Sequence, residues 1–465
     1  MTGCKDGCCV GVSQLFGRRK EPKEELSSLL TSKAESVEAI AVANTLDFEE
    51  ADNSSHYGTS GFLTRTEVCP IEVQPANIAR YSLPEECLAY IPDQAVCRFA
   101  NGDSERMISC NTELSAQEQA WLQALQKEAA QQQKAFLPSV AVAAVRFLGD
   151  AKGDVALALQ QMEENQNWRL SYFPKPIRDV DLLADLKEGA VYFCGRDFAL
   201  RPALVMRAAR VPFSWDPSRF ARLFMFCMEY FLRYMAVPGR VENICVIIDL
   251  QDISYRHLSV PPLMELKEVF TQQNAGRVSC FYVCNMPFLV RALAGVVEAA
   301  MTERARQKIR FLSDVSELRE DFALNQLEED LGGTRKLADS FFPFPLPPGP
   351  FAAGSAGSND EAVGDLHQIL TEAGARGRLW DPTRRKEANC RVDFADTARD
   401  LLGQHGLLHL LDAQHPQHVL ADVNCDSPHS LQNRNAEVDL SPKEVSLRCV
   451  FSCEPLLKLG CQIAR

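Results

Sequence analysis

Four groups of residues have side chains whose type and spacing could do chemistry. His257 lies a few residues beyond Asp249 and Asp252, and an imidazole beside carboxylates can serve as a general acid or base. No nucleophile or second base accompanies it, and aspartates flanking a strand end ordinarily cap a turn. His405 and His409 are spaced i,i+4, with His415, His418 and Cys425 beyond them. A structural zinc site takes four ligands in short recurrent spacings, and a second pair is missing, so no metal site is assigned. Cys4, Cys8 and Cys9 sit beside Lys5 and ahead of a Gly-Arg-Arg-Lys run. Exposed cysteines next to basic residues suit reversible palmitoylation, unless they only decorate an unstructured tail. Thr2 rules out N-myristoylation. Arg304, Arg306, Lys308 and Arg310 form a basic cluster, which either contacts phosphate or offsets a helix dipole. No glycine-rich phosphate loop, HExxH or GxSxG motif is present. The expectation is a protein that is not an enzyme and uses no cofactor.

The elements that must position these residues follow from periodicity. Ser115 and Glu118 form a capping-box pattern that opens a helix. A second helical run covers 139–149, and a third starts at Asp154 with apolar residues near helical spacing. From about residue 190 the pattern changes to short β-rich runs at 203–207, 244–248, 280–284 and 310–312. These alternate with helical stretches at 216–236, 262–273 and 288–303. Such alternation implies a mostly parallel sheet with helical crossovers. The expected order is 1–110 largely disordered, a helical lobe at 112–186 and an α/β lobe at 187–336. A Pro-then-Gly/Ser linker at 337–365 and a C-terminal region of unknown fold at 366–465, with one helix at 396–414, complete it.

Composition bounds the function. The chain has 465 residues and a formal charge of -13, which argues against a nucleic-acid coat. The 17 cysteines are odd in number and irregularly spaced, and Cys227, Cys245 and Cys284 lie inside apolar runs, the usage of a reducing compartment. There is no apolar N-terminal signal and no run long enough to span a bilayer. A cytoplasmic location is expected.

The run from Phe288 to Met301 contains only Arg291 and Glu298 as charges. A helix this apolar around its girth is either buried in a core or is a lid over a ligand cavity.

Read in order, "AVRFLGDAKGDVALALQQMEENQNWR", "GRDFALRPALVMR", "VIIDLQDIS", "CFYVCNMPFL", "TERARQKIRFL" and "NQLEEDLGG" resemble the CRAL-TRIO lipid-binding family, over roughly 115–335. The resemblance implies a helical N-lobe ahead of an α/β lobe whose sheet floors an apolar pocket closed by a mobile gate helix. It puts pocket and gate at Met228, Ile247, Phe281, Val283, Phe288, Leu289, Leu293 and Val297, with Arg304 and Lys308 as head-group candidates. Phosphatidylinositol-transfer members use a basic residue of the N-lobe, an acidic one before the third strand and a lysine after the gate. Here Arg146 and Lys308 match, but Gly276 stands where the acid would be. The implied function is to bind a phospholipid or other small hydrophobic ligand and present it at membranes, with transient peripheral attachment. Protein partners would be recruited through the tails. The alternative is an interaction scaffold whose lipid pocket is degenerate.

Overall fold

The computed structural model describes residues 61–253, 274, 276–288, 303–355, 380–385, 391–394 and 396–412. Among the described residues no helix is long and apolar enough to cross a membrane.

Residues 61–110, expected to be largely disordered, carry defined elements. Strand β1 (Leu63–Thr64) pairs in parallel with β5 (Ala135–Phe136), and β2 (Ile71–Glu72) with β6 (Ile177–Arg178). Strands β3 (Val96–Arg98) and β4 (Ser104–Arg106) form an antiparallel hairpin whose turn holds Asn101 and Gly102. A short helix, α1 (Glu85–Ala89), buries Cys87 and Leu88. What orders this segment is apolar burial: Phe62 joins the core of the helical lobe, and Ile71, Ile78, Leu83 and Leu88 join that of the α/β lobe.

The helical lobe follows the periodic pattern. Helix α2 (Ala116–Gln131) has the capping box expected at Ser115 and Glu118. The run at 139–149 is two helices, α3 (Pro138–Val142) and α4 (Ala144–Asp150), separated at Ala143. Helix α5 (Val155–Tyr172) is capped by the Asp154 carboxylate, which accepts from Leu157 N. Helix α6 (Asp179–Lys187) leads into the sheet.

The sheet has β7 (Val191–Arg196), β8 (Pro202–Arg207), β9 (Ile244–Asp249), β10 (Val278–Cys284) and β11 (Ile309–Phe311) in the order β11-β10-β9-β8-β7. Only β7–β8 is antiparallel. The fold is mixed α/β with a parallel-rich sheet, as the alternation predicts. Side chains alternate between faces along a strand, so the register assigns each residue to a face. Phe193, Leu204, Val246, Phe281 and Ile309 lie in one row, as do Val191, Met206, Ile248, Val283 and Phe311. Both rows share the face on which Phe193 meets Tyr230 of helix α7 (Pro217–Tyr230). Tyr192, Val205, Ile247, Tyr282 and Arg310 point the other way, where Tyr282 packs on Phe322. That second face is covered closely. A Cβ on Gly195 would stand 2.1 Å from the carbonyl oxygen of Gln326, so only glycine admits this approach.

The expected linker does not behave as one over its first part. Phe342, Phe344, Leu346 and Phe351 are buried in the main core. Phe344 meets Tyr230 and Phe193 edge-on at 4.8 and 5.2 Å. Asn325 and Gln326 donate to the carbonyls of Pro350 and Pro348. The described part of the C-terminal region is also tied in. Strands β12 (Trp380–Arg385) and β13 (Val392–Phe394) form a hairpin that buries Trp380 against the helical lobe. The helix expected at 396–414 breaks at Gly406 (φ 72°), giving α9 (Asp396–Gln404) and α10 (His409–Asp412); between the lobes, α8 (Glu303–Lys308) leads into β11. His405 and His409 therefore do not share one continuous helix, and the His409 ring meets Gly406 O at 3.0 Å.

Candidate functional site

The apolar half of the site is the sheet face that carries Phe281 and Val283. Under α7 this face is closed, with Phe193, Leu204 and Val246 fully buried. Toward β11 the cover thins. Ile248, Phe281, Ile309 and Phe311 are only partly buried, although each is large, apolar and on a sheet. Burying a side chain of this size is worth ~1.5–3 kcal/mol, and these four, a strip along the face, stop part-way. Of the expected pocket residues, Phe281 lies on this strip, and Val283 shares its face but is buried. Met228 is completely buried within α7 and belongs to the core. Ile247 shares the opposite face with Tyr282, because one residue of register reverses the side. Leu289, Leu293 and Val297 lie outside the described residues, as do Cys4, Cys8, Cys9 and His257. Phe288, which opens the expected gate, is 83 % exposed.

The polar half is a cluster at the N-terminal ends of β10 and β11. Lys308, the residue before Ile309, donates from Nζ to the Val278 carbonyl at 3.2 Å. Its ammonium also meets both Glu105 carboxylate oxygens, at 2.6 and 2.5 Å. Arg304 is held by Asp103 at 3.1 Å and by Asp150 at 2.8 Å. Hydrogen bonding from Arg304 holds the Asp103 carboxyl below its ordinary range. Asp150 goes the opposite way, pushed up by burial and by the neighbouring Glu105 charge despite Arg304.

Arg146 is deeper and is committed to the structure. Its guanidinium donates to Glu242 (2.8 Å), Ser109 Oγ (3.1 Å), Met107 O (2.7 Å) and Gly276 O (2.6 Å). Glu242 is wholly buried and also accepts from the backbone of Ser109, Cys110 and Gly239. Burial alone would raise its carboxyl, but Arg146, Arg277 and these N–H groups outweigh that and lower it. A cavity of about 10 Å³ lies between Glu105, Arg106, Arg146, Asp150 and Gly276. Another, of about 50 Å³, is lined by Arg169, Glu229, Arg277 and Trp380. Neither admits a lipid, since pockets for drug-sized ligands run to ~300 Å³ and more.

Thus Arg146, Gly276 and Lys308, separated in sequence, do converge, together with Arg304. Spacing alone did not reveal Asp103 and Glu105, which approach from a hairpin about two hundred residues upstream. The available signal was Asn101-Gly102, a dipeptide that marks tight hairpins.

A model of the CRAL/TRIO domain matches residues 186–333, from the end of α6 through the strip and the cation cluster. This part of the chain is a CRAL/TRIO domain. Proteins with that domain in general bind and transfer lipids and other hydrophobic ligands, and are not generally enzymes. Among solved structures, one described as "Crystal structure of Sfh5" is 13 % identical, with 49 % of this chain and 91 % of that one covered and a TM-score of 0.37. No curated protein sequence matches. In the CRAL/TRIO frame, the expected head-group cations Arg304 and Lys308 lie at one end of the apolar strip, each already holding a carboxylate.

Proposed function

We propose that this protein is a non-enzymatic carrier that binds a lipid or other small hydrophobic molecule on the β9–β11 face of its CRAL/TRIO sheet and presents it at membranes. The observation that carries the reading is the partly buried strip of Ile248, Phe281, Ile309 and Phe311. Crossovers between parallel strands are right-handed. By that rule a crossover from β10 to β11 is expected on the face on which α7 packs. We assign its apolar stretch, 288–303, as the gate over the strip, with Leu289, Leu293 and Val297 on the gate and Phe281 and Val283 on the floor. Phe288, 83 % exposed at the start of this stretch, supports membrane docking, since an aromatic side chain inserts favourably at a lipid interface. Tail burial of ~0.8 kcal/mol per CH₂ is similar in carrier and bilayer, so exchange between them is nearly balanced.

Transfer of a pyrene-labelled lipid between donor and acceptor vesicles tests this. Phe281→Asp puts an unpaired charge on the floor and is expected to reduce transfer at least about tenfold, while the thermal midpoint moves by only a few degrees. Unchanged transfer by a folded Phe281→Asp variant would overturn the assignment of the floor. Absence of transfer by the unaltered protein favours a scaffold with a degenerate pocket.

A further inference from the structure

We infer that the larger cavity, lined by Arg277 and Trp380, binds a small oxyanion of phosphate size. Arg277 supplies the counter-charge, and the Trp380 indole N–H and the Ser139 hydroxyl donate to it. This site is independent of the carrier reading: none of its lining residues belongs to the apolar strip or to the Arg304 and Lys308 cluster. Its walls come from separate parts of the chain. Ser139 is on α3, Arg169 on α5, Glu229 on α7 and Trp380 on β12, while Arg277 stands just ahead of β10.

Arg277 carries a charge that its surroundings only partly match. It is 6 % exposed, and its carboxylate contact, Glu242, lies 3.7 Å away. Arg146 shares that carboxylate and holds it closer, at 2.8 Å. Among the described residues the Arg277 guanidinium donates to the Glu242 carbonyl at 3.1 Å, which leaves N–H donors over. Burial and the Arg146 charge push Arg277 down to about 10, despite Glu242. The other charged groups on the wall are engaged. Glu229 and Glu67 both hold Arg169, at 2.9 and 3.3 Å, and Arg233 donates to Tyr234 Oη and Cys69 Sγ.

Two neutral donors on the same wall lack an acceptor. Trp380 is 3 % exposed, and neither its Nε1 nor the buried Ser139 Oγ has a hydrogen-bond partner. Leaving a buried donor unmade is costly, so both call for an acceptor inside the cavity. The Arg277 guanidinium lies 5.6 Å from the Trp380 ring centroid, which keeps indole and cation side by side. The hairpin that brings Trp380 is fastened at Asn111, whose amide donates to the Val392 carbonyl and accepts from its N–H, at 2.8 and 2.7 Å. Water would satisfy the neutral donors but not the charge on Arg277. Size selects the anion. A cavity of about 50 Å³ has room for roughly four waters, the bulk of one phosphate-like group and too little for an acyl chain. Arginine with donors arriving from different elements suits a tetrahedral oxyanion.

Equilibrium dialysis of radiolabelled inorganic phosphate against the full-length protein, in chloride buffer of fixed ionic strength, tests this. One phosphate per chain is expected. Trp380→Phe keeps a ring and removes the N–H, and Ser139→Ala removes the hydroxyl; neither group bonds elsewhere, so both variants should fold. Each is expected to weaken phosphate binding by about tenfold, ~1.4 kcal/mol. Pelleting with phosphatidic acid vesicles separates the sources of the phosphate. Pelleting that Trp380→Phe leaves unchanged assigns the site to a free anion, and pelleting that it abolishes assigns it to a lipid head group. No phosphate retained above a protein-free control, the result if water alone fills the cavity, overturns the inference. Phosphate binding that both variants leave unchanged overturns it as well.

Discussion

Glu242 shows how a single side chain can hold two segments of this protein together. It is completely buried, yet it is charged, because Arg146, Arg277 and three backbone N–H groups surround it. Removing one partner of a buried pair leaves the other unpaired, at a cost of ~3–5 kcal/mol. Glu242→Ala is therefore expected to unfold at markedly lower urea concentration than the unaltered protein. Glu242→Gln allows the pH dependence to be read. The folded-state carboxyl lies below its ordinary 4.5, so its stabilisation is fully present above that value. That stabilisation is lost as pH falls through the folded value, where the protonated acid resembles the amide. The stability gap between the unaltered protein and Glu242→Gln should shrink on acidification; a gap that widens instead would refute the assignment. None of this could be read from spacing. Arg146 and the basic cluster are visible as residues, but Glu242 lies 96 positions from Arg146 and Glu105 lies 203 from Lys308. Charge patterns in sequence report neighbours, and these partners meet only through the fold.

Among the elements, those with strong periodicity were legible. Strands β8 to β11 and helices α2, α5 and α7 lie where alternation, capping and apolar spacing place them. Strand β7 (Val191–Arg196), which escaped, is as fully buried as β8, and differs in carrying Gly195 in its interior, where the register shifts; a glycine inside a strand weakens its sequence signal. The break at Ala143 escaped because two short helices in series keep nearly the same apolar stripe. The proline-rich segment was misread for a physical reason. Proline and glycine content signals a linker, but phenylalanines interleaved with the prolines fill the space over α7, and burial outweighs composition. Phe344, between Tyr230, Phe193 and Phe342, is the centre of that packing. Phe344→Ala is expected to cost ~3–5 kcal/mol in a chemical denaturation series. Limited proteolysis of the native chain should spare 341–351, and early cleavage there would show that the segment is not packed.

At the scale of the molecule, the CRAL/TRIO domain is enlarged at both ends. One apolar core takes in Ile71 and Leu83 from before the domain and Phe344, Leu401 and Leu410 from after it. The hairpin that reaches Arg304 and Lys308 belongs to the first of these additions, so residues outside the matched segment shape the site inside it. Family likeness in the sequence anticipated the sheet; it could not anticipate that Asp103 and Glu105, outside the matched residues, pair with Arg304 and Lys308. The central claim is that the open strip on the sheet is a ligand surface, and the most direct measurement is mass spectrometry of an organic extract of the purified full-length protein. The account predicts an apolar molecule near one per chain, retained through gel filtration and absent from a folded Phe281→Asp variant. An extract with no apolar compound above background, from protein that melts cooperatively, would contradict it.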